Sequence, residues 1–431
     1  MNVAIVGAGI AGLTAAYDLT SRGHRVTIFE ASAAVGGLAS GFRDEGWDWT
    51  LERFYHHWFS SDRDVIGLIR ELGLADKVMF PRPITAIWYR GGTYALDSPS
   101  ALLRFPHLSM VDKLRTGMVL AYLRLTRDWR RLERYTAHEW LPRFMGQQAY
   151  RVLWEPLLIG KFGEENYREV SMAWFWARIY KRSPKLGYFV GGFQAFADAL
   201  SDRVRDQGGE IHLTTPAQRI EQTGTGGLRI VTTGSEEQFD AVVATVSPGL
   251  MARLAPELPK DYLGQLRKLR SMGAVVMILA LKRQLIPDIY WLNLPKGEFP
   301  FLALVEHTNY MSPRHYDGDH LVYLGDYLPP THPYFQMTEQ ELLQTFLEAL
   351  PRFNPAFDRS WVRAHWLFRE RYAQPVVPVN YSEQIPSLST PIPGLYFASM
   401  SQVYPWDRGT NYAVEMGRRV AKIVERGATL K

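Results

Sequence analysis

The chain opens with a short apolar run that gives way to an amphipathic stretch and then to a second apolar run. Residues 3–6 are continuously apolar, as in a buried parallel strand, and a glycine-rich turn and a helical pattern follow them. Residues 25–30 predict the second strand. This β-α-β order predicts an α/β fold that begins with a Rossmann-like layer.

Strand and helix patterns recur in separated pieces along the rest of the chain. Further strands are predicted at 210–213, 219–221, 228–232, 241–245, 272–281, 300–305 and 395–398, and helices at 338–350 and 411–426. The glycine-rich run 223–227 predicts a turn between two of these strands. We therefore expect two interleaved domains, one built from 1–80, 205–250 and 390–431 and the other from 81–204 and 251–389.

Residues 111–132 carry apolar side chains at three- and four-residue steps, which predicts an amphipathic helix. The apolar positions are Val111, Leu114, Met118, Tyr122, Leu125, Trp129 and Leu132. Eight basic and three acidic residues lie between positions 104 and 134. The favoured interpretation is a helix packed on the second domain with its basic side in water. The alternative is a helix that lies on a membrane surface and delivers a lipophilic substrate.

Composition narrows the chemistry. With 49 Lys and Arg against 44 Asp and Glu over 431 residues, the net charge of +5 is too small to indicate a nucleic-acid partner. The absence of cysteine excludes disulfides, iron–sulfur clusters and a cysteine nucleophile. Because the sequence shows neither a basic leader nor an apolar run long enough to cross a bilayer, we expect a cytoplasmic protein. Redox chemistry here would need a bound organic cofactor.

Residues 7–12 read Gly-Ala-Gly-Ile-Ala-Gly, directly after the first strand and before the first helix. In this context Gly7 permits the tight turn, Gly9 lets the backbone approach a pyrophosphate, and Gly12 lets helix and strand pack closely. Ala11 lies at the helix N-terminus, whose N–H groups favour an anion. Glu30, 18 residues beyond Gly12 at the end of the second strand, is placed to accept the hydroxyls of an adenosine ribose. The motif predicts a dinucleotide site.

The residues that follow resemble the flavoprotein superfamily of amine oxidases, protoporphyrinogen oxidases and phytoene desaturases. The resemblance lies in the Gly36-Gly37 pair with Ser40, in residues 190–196 and in residues 393–398. It implies FAD as cofactor, a GR2-type FAD-binding domain with an interleaved α+β substrate-binding domain, and contacts of Gly36, Gly37 and Ser40 to the FAD diphosphate.

The C-terminal segment departs from that superfamily at one point. Ser399 and Met400 stand where the family usually has Gly-Asp, and Asp407 is a candidate replacement for the missing acid. Gly409, Thr410 and Asn411 open the last helix, whose N-terminus would face the flavin and stabilise its reduced anion. An ordinary helix cap is the alternative for Thr410 and Asn411.

Candidate catalytic residues lie in two segments. In the superfamily the region corresponding to 52–59 runs close to the flavin ring, so Arg53 is a candidate for binding a substrate carboxylate or a flavin carbonyl. His56 or His57 is a candidate base or hydrogen-bond donor, although a structural histidine is an equal alternative for each. Lys161 is a candidate contact for an acidic group, but the favoured interpretation is a surface lysine. No metal-ligand spacing is present.

Three functions are compatible with these patterns. The first is an FAD-dependent oxidoreductase that dehydrogenates a C–C or C–N bond by hydride transfer to flavin N5, acting on a small lipophilic or carboxylate-bearing molecule. The second is a redox-neutral flavin mutase resembling UDP-galactopyranose mutase. The third is a prenyl-protein carrier resembling the GDP dissociation inhibitors, which keep this fold without FAD. Peripheral membrane contact and oligomeric state are left open by the sequence.

Overall fold

The computed structural model describes residues 1–224 and 226–429. The predicted turn over 223–227 includes position 225, and the predicted domain segment 390–431 includes positions 430 and 431; these three positions lie outside the described residues.

The described residues form strands and helices that alternate along the whole chain. The strands are β1 (Asn2–Val6), β2 (Arg25–Phe29), β3 (Gly41–Phe42), β4 (Leu51–Glu52), β5 (Trp58–Phe59), β6 (Val78–Met79), β7 (Ile84–Tyr89), β8 (Gly92–Ala95), β9 (Leu186–Phe189), β10 (Glu210–His212), β11 (Arg219–Gln222), β12 (Leu228–Val231), β13 (Glu236–Phe239), β14 (Ala241–Ala244), β15 (Ser271–Leu281), β16 (Ile289–Asn293), β17 (Ala303–Glu306), β18 (His320–Leu328), β19 (Val362–Pro375) and β20 (Leu395–Phe397). The helices are α1 (Ile10–Thr20), α2 (Arg63–Glu71), α3 (Pro99–Arg104), α4 (Met110–Leu125), α5 (Ala137–Met145), α6 (Gln147–Ala149), α7 (Glu155–Asn166), α8 (Met172–Lys181), α9 (Phe193–Asp206), α10 (Pro248–Leu254), α11 (Lys260–Lys268), α12 (Glu339–Leu347) and α13 (Thr410–Thr429).

A five-stranded parallel sheet brings together strands from three distant parts of the chain. Its order is β10-β2-β1-β14-β20, and each neighbouring pair is parallel. The α/β fold class and the first β-α-β unit are thereby confirmed. Because parallel strands end at one edge of a sheet, the residues after β1, β2, β14 and β20 meet there.

The last helix packs against the first one beside this sheet. An added Cβ at Gly417 of α13 would lie 2.5 Å from the carbonyl oxygen of Ala11, so the close approach of the two helices requires glycine there. Apolar side chains of both helices are buried in the same core, among them Leu13 and Val420. The two ends of the chain are thus held together.

A seven-stranded mixed sheet forms the second layer, in the order β19-β15-β18-β17-β16-β7-β8. Strand β15, which pairs with β18 and β19, is buried along most of its length, as the apolar pattern over 272–281 predicts. The strand predicted at 300–305 begins later, at Ala303, and Pro300 lacks the N–H that a ladder position uses.

The helix predicted over 111–132 differs from the structure in length and in orientation. It ends at Leu125, because Thr126 adopts an extended backbone, and a separate 3-10 turn follows over Trp129–Arg131. Its apolar stripe is exposed, whereas Thr116 and Leu123 on the opposite face are buried. The helix does pack on the second domain, against α5 and α8, as the favoured interpretation expects, but it does so through the side opposite the apolar stripe. Periodicity reveals an apolar stripe but not which face of the helix finds a neighbour. Among the described residues, no helix combines the length and apolar character needed to span a bilayer.

Candidate functional site

The glycine-rich loop after β1 has the geometry of an anion cradle. Gly7 adopts a φ of +105°, and an added Cβ at Gly12 would lie 2.0 Å from the Gly7 carbonyl oxygen. Both positions therefore require glycine. At Gly9, by contrast, the nearest atom to an added Cβ is the Gly37 Cα at 3.9 Å. The backbone at Gly9 is consequently open to a molecule lying over the N-terminus of α1.

Glu30 connects the second strand to this loop. Its carboxylate accepts hydrogen bonds from the backbone N–H of Ala8 at 2.7 Å and of Ser32 at 2.8 Å. A carboxylate has about four lone-pair sites, so two remain for a ligand hydroxyl. The residue lies at the carboxyl end of β2, beside the first turn of the loop.

The Gly36-Gly37 pair lies against the same loop. Gly36 forms an isolated bridge with Gly9, and both Gly36 and Gly37 have positive φ. An added Cβ at Gly37 would approach the Gly9 Cα to 3.1 Å, which is tight. Ser40 closes this turn and accepts the backbone N–H of Arg53 on its carbonyl, so the pair is joined to the 52–59 segment.

The N-terminus of α13 lies near these segments, and its two polar side chains are occupied by protein. Thr410 accepts a hydrogen bond from the indole of Trp58 at 2.5 Å. Asn411 accepts from the backbone N–H of Asp64 at 3.0 Å and of Val65 at 3.1 Å, at the start of α2. The backbone N–H groups of Tyr412 and Ala413 donate to the Gly409 carbonyl and make the first helical hydrogen bonds. The N–H groups that precede them in the first turn therefore face outward from the end of the helix.

Ser399 and Met400 follow β20 at the carboxyl edge of the sheet. The Ser399 hydroxyl forms a hydrogen bond of 2.8 Å with the Tyr372 hydroxyl, and its backbone N–H donates to the Gln402 amide oxygen at 2.6 Å. Met400 begins a 3-10 turn. The structure thus gives the Ser399 side chain a partner within the protein.

Asp407 is the centre of a largely buried polar cluster. One carboxylate oxygen accepts from Lys161 at 3.2 Å and from Arg178 at 3.0 Å. The other accepts from the Trp174 indole at 3.1 Å, from the Gln374 amide at 3.3 Å and from the Arg408 backbone N–H at 3.1 Å. Lys161 is therefore not a surface lysine; it is fixed between Asp407 and Gln374.

The charges of this cluster set the pKa values of its members. Burial alone would raise the pKa of Asp407, but Lys161, Arg178 and Arg408 together lower it below its ordinary value. Burial lowers the pKa of Lys161 well below its ordinary value, the two arginines add to that effect, and Asp407 opposes it. The cluster therefore holds an ionised carboxylate among a surplus of cationic groups.

The aromatic side chains beside the cluster join it to the 52–59 segment. The Arg408 guanidinium donates to the Tyr327 hydroxyl, and the Lys161 ammonium lies 5.6 Å from the Tyr327 ring centroid. Burial and the neighbouring Tyr327 raise the pKa of Tyr55, and the positive charge of Arg408 opposes that effect. The Tyr55 ring packs edge-on against Trp291 at 4.6 Å.

Both histidines are neutral at physiological pH. Burial, the largest cause, lowers the pKa of His56 to about 4 and that of His57 to about 3, and nearby cations of the cluster add to the effect. They differ in their partners, because His56 Nδ1 lies 2.6 Å from the Phe54 carbonyl whereas His57 Nδ1 is buried without a partner. Arg53 Nε is likewise buried without a partner.

These orphaned polar atoms are the test of whether the residues fit a cofactor. Buried polar groups are normally hydrogen-bonded, so Arg53 Nε and His57 Nδ1 call for a polar ligand. Together with the open backbone at Gly9 and the free lone pairs of Glu30, this arrangement fits a long dinucleotide.

Sequence reasoning missed much of this region. Arg178, Gln374 and Trp174 join Asp407 from segments far apart in the chain, and Arg408 is its direct neighbour. None of these residues stands in a recognisable motif. Glu52 is also missed: its buried carboxylate accepts from the Tyr188 hydroxyl at 2.9 Å and from the Phe193 N–H at 2.8 Å. The adjacency of Glu52 to Arg53 was the available signal, since a charged pair at the end of a buried strand is unusual.

Comparison with known sequences identifies a family and a set of relatives, among them two desaturases. The family model for flavin containing amine oxidoreductases matches residues 10–424. The chain is 26% identical over 293 residues to the probable zeta-carotene desaturase of Synechococcus elongatus, covering 60% of each chain. It is 23% identical over 438 residues to the 15-cis-phytoene desaturase of Arabidopsis thaliana, covering 92% of this chain and 75% of that one. The chain thus spans less than two thirds of the length of the first relative.

Solved structures share the fold at lower identity. An oxidoreductase from Methanosarcina mazei superposes with a TM-score of 0.75 at 20% identity, covering 98% of this chain and 100% of that one. A reduced UDP-galactopyranose mutase superposes with a TM-score of 0.76 at 16% identity, covering 98% and 95%. At these identities the likeness is one of fold.

Proposed function

Because the chain belongs to the flavin-containing amine oxidoreductase family, we propose that it uses FAD to dehydrogenate a carbon–carbon bond of a small lipophilic molecule. The expected FAD cofactor and the expected superfamily are confirmed by the family match. The observation that carries the proposal is the cluster of neutral histidines, aromatic rings and surplus cations around Asp407. An environment of neutral, aromatic and cationic groups suits an uncharged or anionic substrate.

In this proposal the two ends of the chain hold the cofactor. The N-terminus of α1 and the backbone at Gly9 and Gly37 receive the diphosphate, and Glu30 accepts the ribose hydroxyls. The first-turn N–H groups of α13 supply partial positive charge to the opposite end of the molecule. Ser40, Ser399 and Met400 help to position these segments, whereas the Asp407 carboxylate holds the polar cluster together. When bound, FAD supplies a hydride acceptor at N5.

The 52–59 segment then orients the reacting parts. His57 Nδ1 and Arg53 Nε are the groups with unused hydrogen-bonding capacity, so they bind polar atoms of the cofactor or the substrate. Neither histidine takes up a proton readily, because each has a pKa several units below neutrality. Their role is hydrogen bonding and exclusion of water rather than storage of a proton.

The charge pattern favours a carbon–carbon over a carbon–nitrogen bond. An amine substrate that arrives protonated would meet Lys161, Arg178 and Arg408, and the carboxylate of Asp407 is already engaged by five donors. An apolar substrate meets aromatic surfaces such as Tyr55 and Trp291 instead. The two carotene-desaturase relatives support this choice of substrate class.

Anaerobic mixing tests the proposal. The FAD-loaded protein is mixed without oxygen with a panel of polyenes, porphyrinogens and primary amines, and the visible absorbance of the flavin is followed. Bleaching by a polyene supports carbon–carbon dehydrogenation. Bleaching by primary amines alone would overturn it in favour of amine oxidation.

A redox-neutral mutase is the second candidate, and the fold likeness to UDP-galactopyranose mutase favours it. Such an enzyme would leave oxidised flavin unbleached by its substrate and would turn over only after prior reduction. Chemical pre-reduction followed by product analysis with UDP-galactopyranose therefore separates the two candidates.

A further inference from the structure

One surface of the molecule collects the exposed apolar side chains. Among the described residues, the large hydrophobic side chains that are exposed all lie between positions 103 and 144: Leu103, Met110, Val111, Leu114, Met118, Tyr122, Leu125, Tyr135 and Phe144. Leu125 is 81% exposed and Val111 is 66% exposed. Apolar side chains collected in this way on one surface mark a site of interaction.

Helix α4 carries most of this surface and is buried on the opposite side. At about 100° per residue, Val111, Leu114, Met118, Tyr122 and Leu125 form one stripe along the helix. The opposite side holds the buried Thr116 and Leu123 and packs toward α5 and α8. The exposed stripe therefore takes no part in packing α4 onto α8 through the buried side of the helix.

The stripe continues onto the neighbouring helix. The Tyr122 ring stacks on Trp140 of α5 with centroids 6.4 Å apart, and Trp140 lies 4.3 Å from Phe144. At the other end, the Lys113 ammonium donates to the Leu103 carbonyl at 2.8 Å and so holds α3 beside α4. Three helices therefore present one apolar surface, which we call the α4 patch (Leu103, Met110, Val111, Leu114, Met118, Tyr122, Leu125 and Phe144).

Positive charge surrounds the α4 patch. Between positions 103 and 144 there are nine Lys and Arg against four Asp and Glu, a surplus of five that equals the net charge of +5 of the whole chain. The exposed arginines are Arg104, Arg124, Arg127, Arg130, Arg131, Arg134 and Arg143. All four acids have partners within the protein: Asp128 pairs with Arg131 at 3.3 Å, and Asp112, Glu133 and Glu139 each accept a hydrogen bond from a Ser or Thr hydroxyl. The remainder of the chain is electrically balanced.

We propose that the α4 patch is a membrane-docking surface that lays α4 into the headgroup region of an anionic phospholipid bilayer. An apolar stripe bordered by arginines matches a bilayer surface, where acyl chains receive the stripe and phosphates receive the guanidinium groups. A second protein copy fits less well, because apposing two such surfaces would bring their like charges together.

The patch lies one helix away from the candidate site. The Trp176 indole of α8 donates to the Thr126 carbonyl at the end of α4, at 2.9 Å. On the same helix the Trp174 indole donates to Asp407 at 3.1 Å. The α4 patch and the Asp407 cluster are therefore joined through a single helix, α8. The docking surface itself does not depend on the substrate proposed above.

Vesicle co-sedimentation of the full-length, FAD-loaded protein tests the docking surface. Vesicles of phosphatidylcholine alone are compared with vesicles that also contain phosphatidylglycerol, at low and high salt. We expect binding to the anionic vesicles that weakens as salt is added. The pair Leu114→Ser and Met118→Ser, and separately the pair Arg124→Glu and Arg127→Glu, should each lower the partition coefficient by about tenfold or more.

Two exposed arginines elsewhere provide the matched control. The pair Arg203→Glu and Arg253→Glu makes the same change in net charge away from the patch and should leave the partition coefficient within about twofold of wild type. Unchanged FAD content in each variant shows that the site remains folded. Failure of wild type to bind anionic vesicles would overturn the proposal, as would an equal loss in the control pair. Dimerisation in sedimentation equilibrium that the Leu114→Ser and Met118→Ser pair abolishes, without vesicle binding, would assign the surface to a second copy instead.

Discussion

The Asp407 cluster offers a quantitative test of the electrostatics proposed for the site. In the substitution Asp407→Asn, the side chain keeps its size but loses the charge that faces Lys161 and Arg178 at 3.2 and 3.0 Å. The side chains of this pair are largely buried, with 13% of Lys161 and 19% of Asp407 exposed. Removing one partner of such a pair leaves uncompensated charge in a poorly solvated place and costs about 3–5 kcal/mol.

The assay is urea unfolding followed by tryptophan fluorescence, with FAD in fixed excess. We expect Asp407→Asn to lower the free energy of unfolding by about 3–5 kcal/mol. Adding Lys161→Met removes one of the stranded cations, so the double variant should be more stable than the sum of the single effects predicts, by about 0.5–3 kcal/mol. Loss of the carboxylate also removes the main group that opposes the lowering of the Lys161 pKa, so lysine should titrate at still lower pH.

An exposed ion pair provides the control. Glu298 pairs with Arg352 at 2.6 Å with 40% and 42% of the two side chains exposed, and Glu298→Gln should cost no more than about 1 kcal/mol. Two results would contradict this prediction: a loss of unfolding free energy in Asp407→Asn as small as that in Glu298→Gln, or additive effects in the double variant. Either result would show that the charges of the cluster do not interact as a buried group.

Other substitutions test single contacts. Burial raises the pKa of Glu52 to about 7 from the ordinary 4.5, so between these values the unfolded chain releases a proton that the folded chain keeps. Glu52 alone should therefore lower the free energy of unfolding by about 3 kcal/mol as pH rises through that window, and Glu52→Gln should remove this part of the pH dependence in urea unfolding; an unchanged slope would refute it. Gly12→Ala should cost about 1–3 kcal/mol and lower FAD content, whereas Gly264→Ala, with open space around its added Cβ, should be neutral or stabilising. His57→Ala should slow anaerobic flavin reduction more than His56→Ala, because only the former removes an atom without a protein partner; equal, near wild-type rates would remove both from the site.

The first part of the fold was accessible from the sequence because its signals are local. The apolar run, the glycines and Glu30 lie within 30 residues, and each has one physical reason for its place. The meeting of that loop with the N-terminus of α13 was inferred from family resemblance, since no local rule joins Gly12 to Thr410.

The Asp407 cluster and the α4 patch were not accessible in this way. Asp407 receives donors from α7, α8 and β19, and a pattern in one segment carries no information on such partners. In α4 the apolar stripe was recognised correctly, but its orientation depends on which neighbours occupy the opposite side. Exposure of Met118 rather than Thr116 is a property of the tertiary structure, against the usual preference for burying the more apolar side chain.

The central claim is that the loop after β1 and the N-terminus of α13 together bind one dinucleotide. Measuring bound flavin tests it most directly. The protein is purified, supplied with excess FAD, freed of unbound cofactor and denatured, and the released flavin is counted per chain for wild type and for Glu30→Ala. We predict about one FAD per chain for wild type and a clear loss for the variant, because Glu30 connects the ribose position to the loop. A wild-type protein that retains no FAD, or a variant with full occupancy, would contradict the account.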